Sequence, residues 1–250
     1  MKKLFLALTF NLLLIGCNKD APELSFDELN IEQVSELNCN PEEENCTFIG
    51  ITVPWAMGKD TRSNLLNSHI EDHIIKLIDY QDNKELNSLE NLAQTFIKDY
   101  EASAKEFPEY NIPWEAFVEG KLTYESEKII SIQFDLALFT GGAHGYTSIT
   151  YLNFDPESGR LISNNALFSE DFKNFAEERF RKKNDIPENE PINSTGLFFE
   201  DDKFQLPQNI GFHENKIVLR YNAYEIASYS EGTIQLEFKM DEVKKYFKIL

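Results

Sequence analysis

Between Ile130 and Leu138 every second residue is large and apolar: Ile130, Ile132, Phe134, Leu136 and Leu138. A period of two puts all five on one face of an extended chain, which only a half-buried strand satisfies. Tyr146–Phe154 resumes the alternation after the interruption Thr140-Gly-Gly-Ala-His-Gly145, so the two runs predict a hairpin. A hairpin is marginal alone and needs an apolar layer against its inner face.

Two upstream segments supply that layer. Leu66, Ile70, Ile74 and Leu77 recur at helical spacing after Thr61, as do Leu89, Leu92, Ala93, Phe96, Tyr100 and Ala104 after Asn87. Asn87-Ser-Leu-Glu90 reads as a capping box and Pro108 as a stop. Phe48–Val53, bounded by Pro54, reads as a short strand. Downstream, Asp155–Gly159 is a turn and Ser169 an N-cap for a helix carrying Phe172, Phe175, Ala176 and Phe180. Residues 185–196 form a polar connection; 204–212, 217–221 and 233–238 are strands, and a short helix begins near Asp241. Helices, strands, a helix and strands follow without regular alternation, which defines an α+β class with helices packed on antiparallel sheets. Twenty Phe and ten Tyr supply bulk for one or two small cores.

The amino terminus addresses the chain. Lys2 and Lys3 precede an apolar run from Leu4 to Ile15, then Gly16 and Cys17. The run is too short to span a bilayer and reads as a lipoprotein signal over residues 1–16, with acylation at Cys17. The expected location is the cell envelope, in the outer membrane. Asn18-Lys19-Asp20 leaves open whether the periplasmic or the surface face is used. Residues 17–47, rich in Asp, Glu and Asn, read as a tether ending in a small loop. With Cys17 lipidated, Cys39 and Cys46 are an even pair in an oxidising compartment, so a disulfide is expected.

Formal net charge is −19, and loss of Lys2 and Lys3 with the signal takes it to −21. Such a surface repels phosphates, which excludes a nucleic-acid partner and favours a basic one. His69 and His73, four apart on a helix, lack the spacing of His-Glu-x-x-His; they sit at the edge of the apolar stripe and predict no metal. The chain contains no Gly-x-Ser-x-Gly elbow, no Ser-x-x-Lys and no phosphate-binding loop, so neither a catalytic residue nor a cofactor is assigned. Asp201-Asp202 lacks the context of a polysaccharide deacetylase motif.

Two segments remain as ligand-contacting candidates. Gly141 and Gly142 permit backbone conformations closed to other residues, beside His144. The expectation for His144 is a structural hydrogen bond to a backbone carbonyl at the hairpin end. Tyr221-Asn-Ala-Tyr-Glu-Ile-Ala-Ser-Tyr-Ser-Glu-Gly232 places Tyr221, Tyr224 and Glu225 in a connection where exposed tyrosines stack on sugars or anchor a protein, and buried ones lock sheets together.

At these segments the chain resembles the extracytoplasmic domain family shared by the amino-terminal region of the peptidoglycan deacetylase PdaC and the lysozyme-sensing anti-sigma factor RsiV. The resemblance rests on Ile51-Thr-Val-Pro54, Leu66-Asn67, Ile129–Ile132, Phe139–Gly145, Asn153–Gly159, Leu167-Phe168, Tyr221–Tyr229 and Gly232. It implies a PdaC-like half over residues 48–160 and an RsiV-like half over 161–250. It also implies a non-enzymatic role in the envelope, as a binding domain for a cell-wall glycan such as peptidoglycan or for a basic wall-directed protein such as lysozyme. A wall-glycan hydrolase or deacetylase-type enzyme is the alternative.

Overall fold

The computed structural model describes residues 24–40, 42, 45–79, 86–110 and 112–248. The signal segment and Cys17 lie outside the described residues.

The hairpin forms as the alternation requires. Strands β4 (Ile130–Phe139) and β5 (Tyr146–Phe154) pair antiparallel from Ile130↔Phe154 to Leu138↔Tyr146. They close a five-stranded sheet of order β1-β2-β3-β4-β5, with β1 at Phe26–Val34, β2 at Phe48–Ala56 and β3 at Glu115–Glu125. One pairing departs from the antiparallel expectation: β2 and β3 run parallel. Parallel neighbours need a long crossover, and the two helices provide it.

Those helices are α1 (Thr61–Ile78) and α2 (Leu89–Glu106), and their apolar stripes are buried on one face of the sheet. Asp60 caps α1 by accepting from the Ser63 N–H at 2.7 Å. The cap of α2 is Ser88, one residue later than the capping-box reading, and it accepts from Asn91 N. Glu71 of α1 accepts from Leu89 N at 3.1 Å, taking another free N–H of that first turn.

Strand β1 corrects the extended tether. Phe26–Val34 pairs along its whole length with β2, and Leu24 and Ile31 are buried in the core. Polarity misled the sequence reading, because β1 is an edge strand. Its inner positions Leu29 and Ile31 alternate with Glu28, Asn30 and Glu32, and such charges are how edges stay unpaired. The disulfide Cys39–Cys46 closes the loop between β1 and β2.

The second half is a three-stranded antiparallel sheet, β6 (Asn209–Phe212), β7 (Lys216–Tyr221) and β8 (Ile234–Lys239). Two short helical turns, α3 (Asn164–Leu167) and α5 (Met240–Val243), flank the longer helix α4 (Glu170–Lys183). Ser169 holds the N-cap position of α4, without a side-chain cap bond. The run expected as a strand over 204–212 is extended only from Asn209, with Pro207, which has no N–H to donate, just before it. The core here is aromatic: Phe168 stacks on Phe172 at 4.0 Å, and Phe180 meets Phe199, Phe204 and Tyr221.

The two sheets join where β6 crosses the outer face of β4 and β5. Asn153 donates to Ile210 O at 2.7 Å, and Phe212 N donates to Ser131 Oγ at 3.1 Å. Gly211 is required there, since a Cβ would lie 2.2 Å from the Tyr151 ring. Asn222, after β7, bonds both the N–H (3.1 Å) and the C=O (2.9 Å) of Ile149, so its amide substitutes for a neighbouring strand at the edge of β5.

Candidate functional site

Thr140–Gly145 connects β4 to β5, and its glycines adopt left-handed backbone at Gly141 (φ 85°) and Gly142 (φ 112°). A Cβ on Gly142 would meet nothing within 4 Å, so conformation, not packing, demands glycine there. His144 is exposed, and its Nδ1 lies 2.9 Å from the carbonyl of Gly145, the next residue. A backbone carbonyl is indeed its partner. A water-exposed bond between neighbours contributes little to stability, however, so the ring is free for other work.

The connection from β7 to β8 brings the second candidate segment against this loop. The His144 ring stacks on Tyr229, with centroids 4.5 Å apart and planes 20° apart, and Tyr229 stacks on Tyr224 at 5.3 Å. Tyr224 is 55% exposed and Tyr229 43%, so three rings form a strip open to solvent. Tyr224 holds φ at +71°, a conformation that costs a bulky side chain free energy and that clusters at ligand sites.

The remaining candidates separate. Tyr221 is buried, and its hydroxyl donates to Gln205 O at 2.6 Å; burial pushes its ionisation far up, and it locks the second core rather than facing a ligand. Glu225 accepts from Asn222 N at 2.9 Å and Gln208 N at 3.3 Å, which fixes the turn that presents Tyr224. Its carboxyl is raised, because burial outweighs those two bonds. Tyr229 was the ring that sequence reasoning left out of the site. Its signal was its place as the third tyrosine of that segment.

Beside the strip lies a pocket of ≈ 390 Å³, lined by Lys76 and Leu77 of α1 with Leu138, Thr140, Gly141, His144 and Tyr146. His144 is common to pocket and strip. The two histidines of α1 are elsewhere occupied. His73 Nε2 lies 2.7 Å from Thr150 Oγ1 with the ring against Phe134, and His69 lies 6.3 Å from the Phe154 ring. Burial holds the His73 imidazole down to about 4. Among the described residues no group of three His, Cys, Asp or Glu is placed to hold a metal.

The exposed strip of His144, Tyr229 and Tyr224 is assembled from both α+β halves of the chain. A family model described as deacetylase PdaC matches residues 41–147, and one described as a protein of unknown function, DUF3298, matches residues 161–241. The chain thus carries a PdaC-type domain followed by a DUF3298-type domain. Crystal structures of a DUF3298 family member from Bacteroides fragilis and a DUF3298 family protein from Pseudomonas aeruginosa share the fold. The first is 17% identical with a TM-score of 0.65, and the match covers 90% of this chain and 93% of that one. The second is 20% identical with a TM-score of 0.59, covering 90% and 94%. No curated protein matches the sequence.

Proposed function

We propose that this protein is a non-enzymatic lipoprotein of the cell envelope that binds a cell-wall glycan on the strip formed by His144, Tyr229 and Tyr224. The carrying observation is the stack itself: large amphipathic rings held in water, one on strained backbone, with no core to fill. Tyrosine rings offer flat apolar faces and a hydroxyl at low entropic cost, which suits the alternating C–H faces and hydroxyls of pyranose rings. Hydrolysis would need paired carboxylates around the bound sugar. Among the described residues, none lines the pocket beside His144.

A basic wall-directed protein such as lysozyme is a second reading, favoured by the net charge of −19. Charge chiefly speeds encounter, so recognition has to survive salt. The test is binding of the protein to peptidoglycan fragments and, separately, to lysozyme, at low and at high salt, with the wild type and with Tyr224→Ala and Tyr229→Ala. Glycan binding should weaken about tenfold or more in each variant, with no turnover of the ligand. Retained affinity in both variants, or cleavage of the glycan, would refute the proposal.

A further inference from the structure

The pocket beside the strip has a chemistry unlike the rest of the molecule. In a chain with 43 Asp and Glu, it is lined by no carboxylate among the described residues, yet it contains Lys76 and His144. Two other clefts carry acids: Asp79, Asp99 and Glu106 line one, Glu170 and Glu200 the other. The carboxylates nearest to Lys76 along α1, Asp72 and Asp79, do not line this pocket. Among the described residues Lys76 forms no salt bridge, unlike Lys121, Lys216 and Lys244. Its ammonium group is therefore an uncommitted positive charge at the rim.

The loop adds donors. Gly141, Gly142 and Ala143 make no backbone hydrogen bond to any described residue, and Gly141 lines the pocket together with Lys76, so the turn offers unpaired N–H groups at its edge. Clustered backbone N–H groups next to an ammonium make an anion site. Leu77, Leu138 and Tyr146 supply an apolar wall, which suits a carboxylate on a short apolar stem or on a sugar ring better than a strongly hydrated free ion.

We infer that this pocket binds the carboxylate of an acidic glycan whose neighbouring rings lie on the His144–Tyr229–Tyr224 strip. The inference rests on the glycan-binding reading and sharpens it: His144 touches both parts, so one ligand spans them. Two sources share this chemistry, an amino sugar bearing a carboxylated ether side chain and a uronic acid.

Calorimetry with the full chain and three probes separates the outcomes: an N-acetylglucosamine–N-acetylmuramic acid oligomer, an oligogalacturonate and a neutral chitin oligosaccharide. At least one acidic probe should bind about tenfold tighter than the neutral one, the scale of one charge-assisted contact. Lys76→Met should erase that preference and Lys76→Arg keep it, with melting temperatures showing both variants folded. Preference for the muramic acid oligomer alone identifies the ether-linked carboxylate as the source; preference for both acids identifies carboxylated sugars in general. Equal affinity for acidic and neutral probes, or a preference unchanged by Lys76→Met, overturns the carboxylate pocket while leaving the aromatic strip standing. Failure of all three probes to bind overturns strip and pocket together.

Discussion

His73 makes the stability of the first half depend on pH in a calculable way. Its ring is wedged between α1 and the sheet, 5.0 Å from Phe134, with Nε2 against Thr150 Oγ1. Desolvation, helped by the charge of Lys76, lowers its pKa from 6.5 to about 4. A base whose folded pKa is depressed is protonated more readily in the unfolded chain, so stability is complete above the unfolded value and falls as pH drops from 6.5 toward 4. The full difference is about 3 kcal/mol, of which about 2 kcal/mol is lost between pH 7.5 and 5.0. For a domain of this size that corresponds to roughly 4–8 °C in Tm. His73→Gln keeps an amide within reach of Thr150 and does not titrate, so it should be less stable at neutral pH but lose less on acidification. Carboxylates such as Asp60, held low by the Ser63 N–H, titrate in both proteins and cancel. Urea unfolding of wild type and variant at the two pH values measures the difference directly. An equal loss in both would mean that His73 is protonated in the fold, and the burial argument would be wrong.

Three further outcomes are expected. Titration of the unfolded, unreduced protein should find Cys39 and Cys46 unreactive, and reduction should cost about 2–3 kcal/mol, the entropy of a short loop. Gly211→Ala should destabilise by about 1–3 kcal/mol, because the added Cβ meets a Tyr151 ring tied to Gln133 at 3.0 Å; unchanged urea unfolding would show that the seam can open to admit a methyl group. Mass spectrometry of protein extracted from membranes should find acyl chains on Cys17, and an unmodified thiol there would remove the anchor from the proposal.

How much of this was legible in the sequence depended on burial. The hairpin, both long helices and α4 followed from periodicity, because each buries one face and exposes the other. Strand β1 was hidden, since an edge strand over a single helical layer needs only a few inner apolar positions, here Leu29 and Ile31, and fills the rest with charge. Phe204 was misread as strand for the converse reason: it is core, but it reaches the core from irregular chain ahead of Pro207. At the site, the glycine–histidine loop and the tyrosine segment stood out by composition. Their contact did not, because the stacking of His144 on Tyr229 depends on a seam between sheets that no local pattern encodes.

That seam decides what kind of site this is. His144 lies in the stretch matched by the first family model, and Tyr224 and Tyr229 in the stretch matched by the second, so neither domain alone holds the strip. Asn222, two residues before Tyr224, is bonded to Ile149 of the hairpin, and the docking that joins the sheets therefore also aligns the rings. The register then sets direction. Phe26 pairs with Ala56 at one end of the sheet, whereas Val34, Phe48, Glu115 and Phe139 line up at the other, where Thr140–Gly145 begins. Nine residues of β1 span about 30 Å, so the strip lies at the pole of the first sheet remote from Leu24. With lipid on Cys17, the chain from there to Leu24 reaches at most about 25 Å. If the proposed lipid anchor is present, an attachment that short at the opposite pole would hold the aromatic strip away from the bilayer, on the side from which an extended glycan would be met.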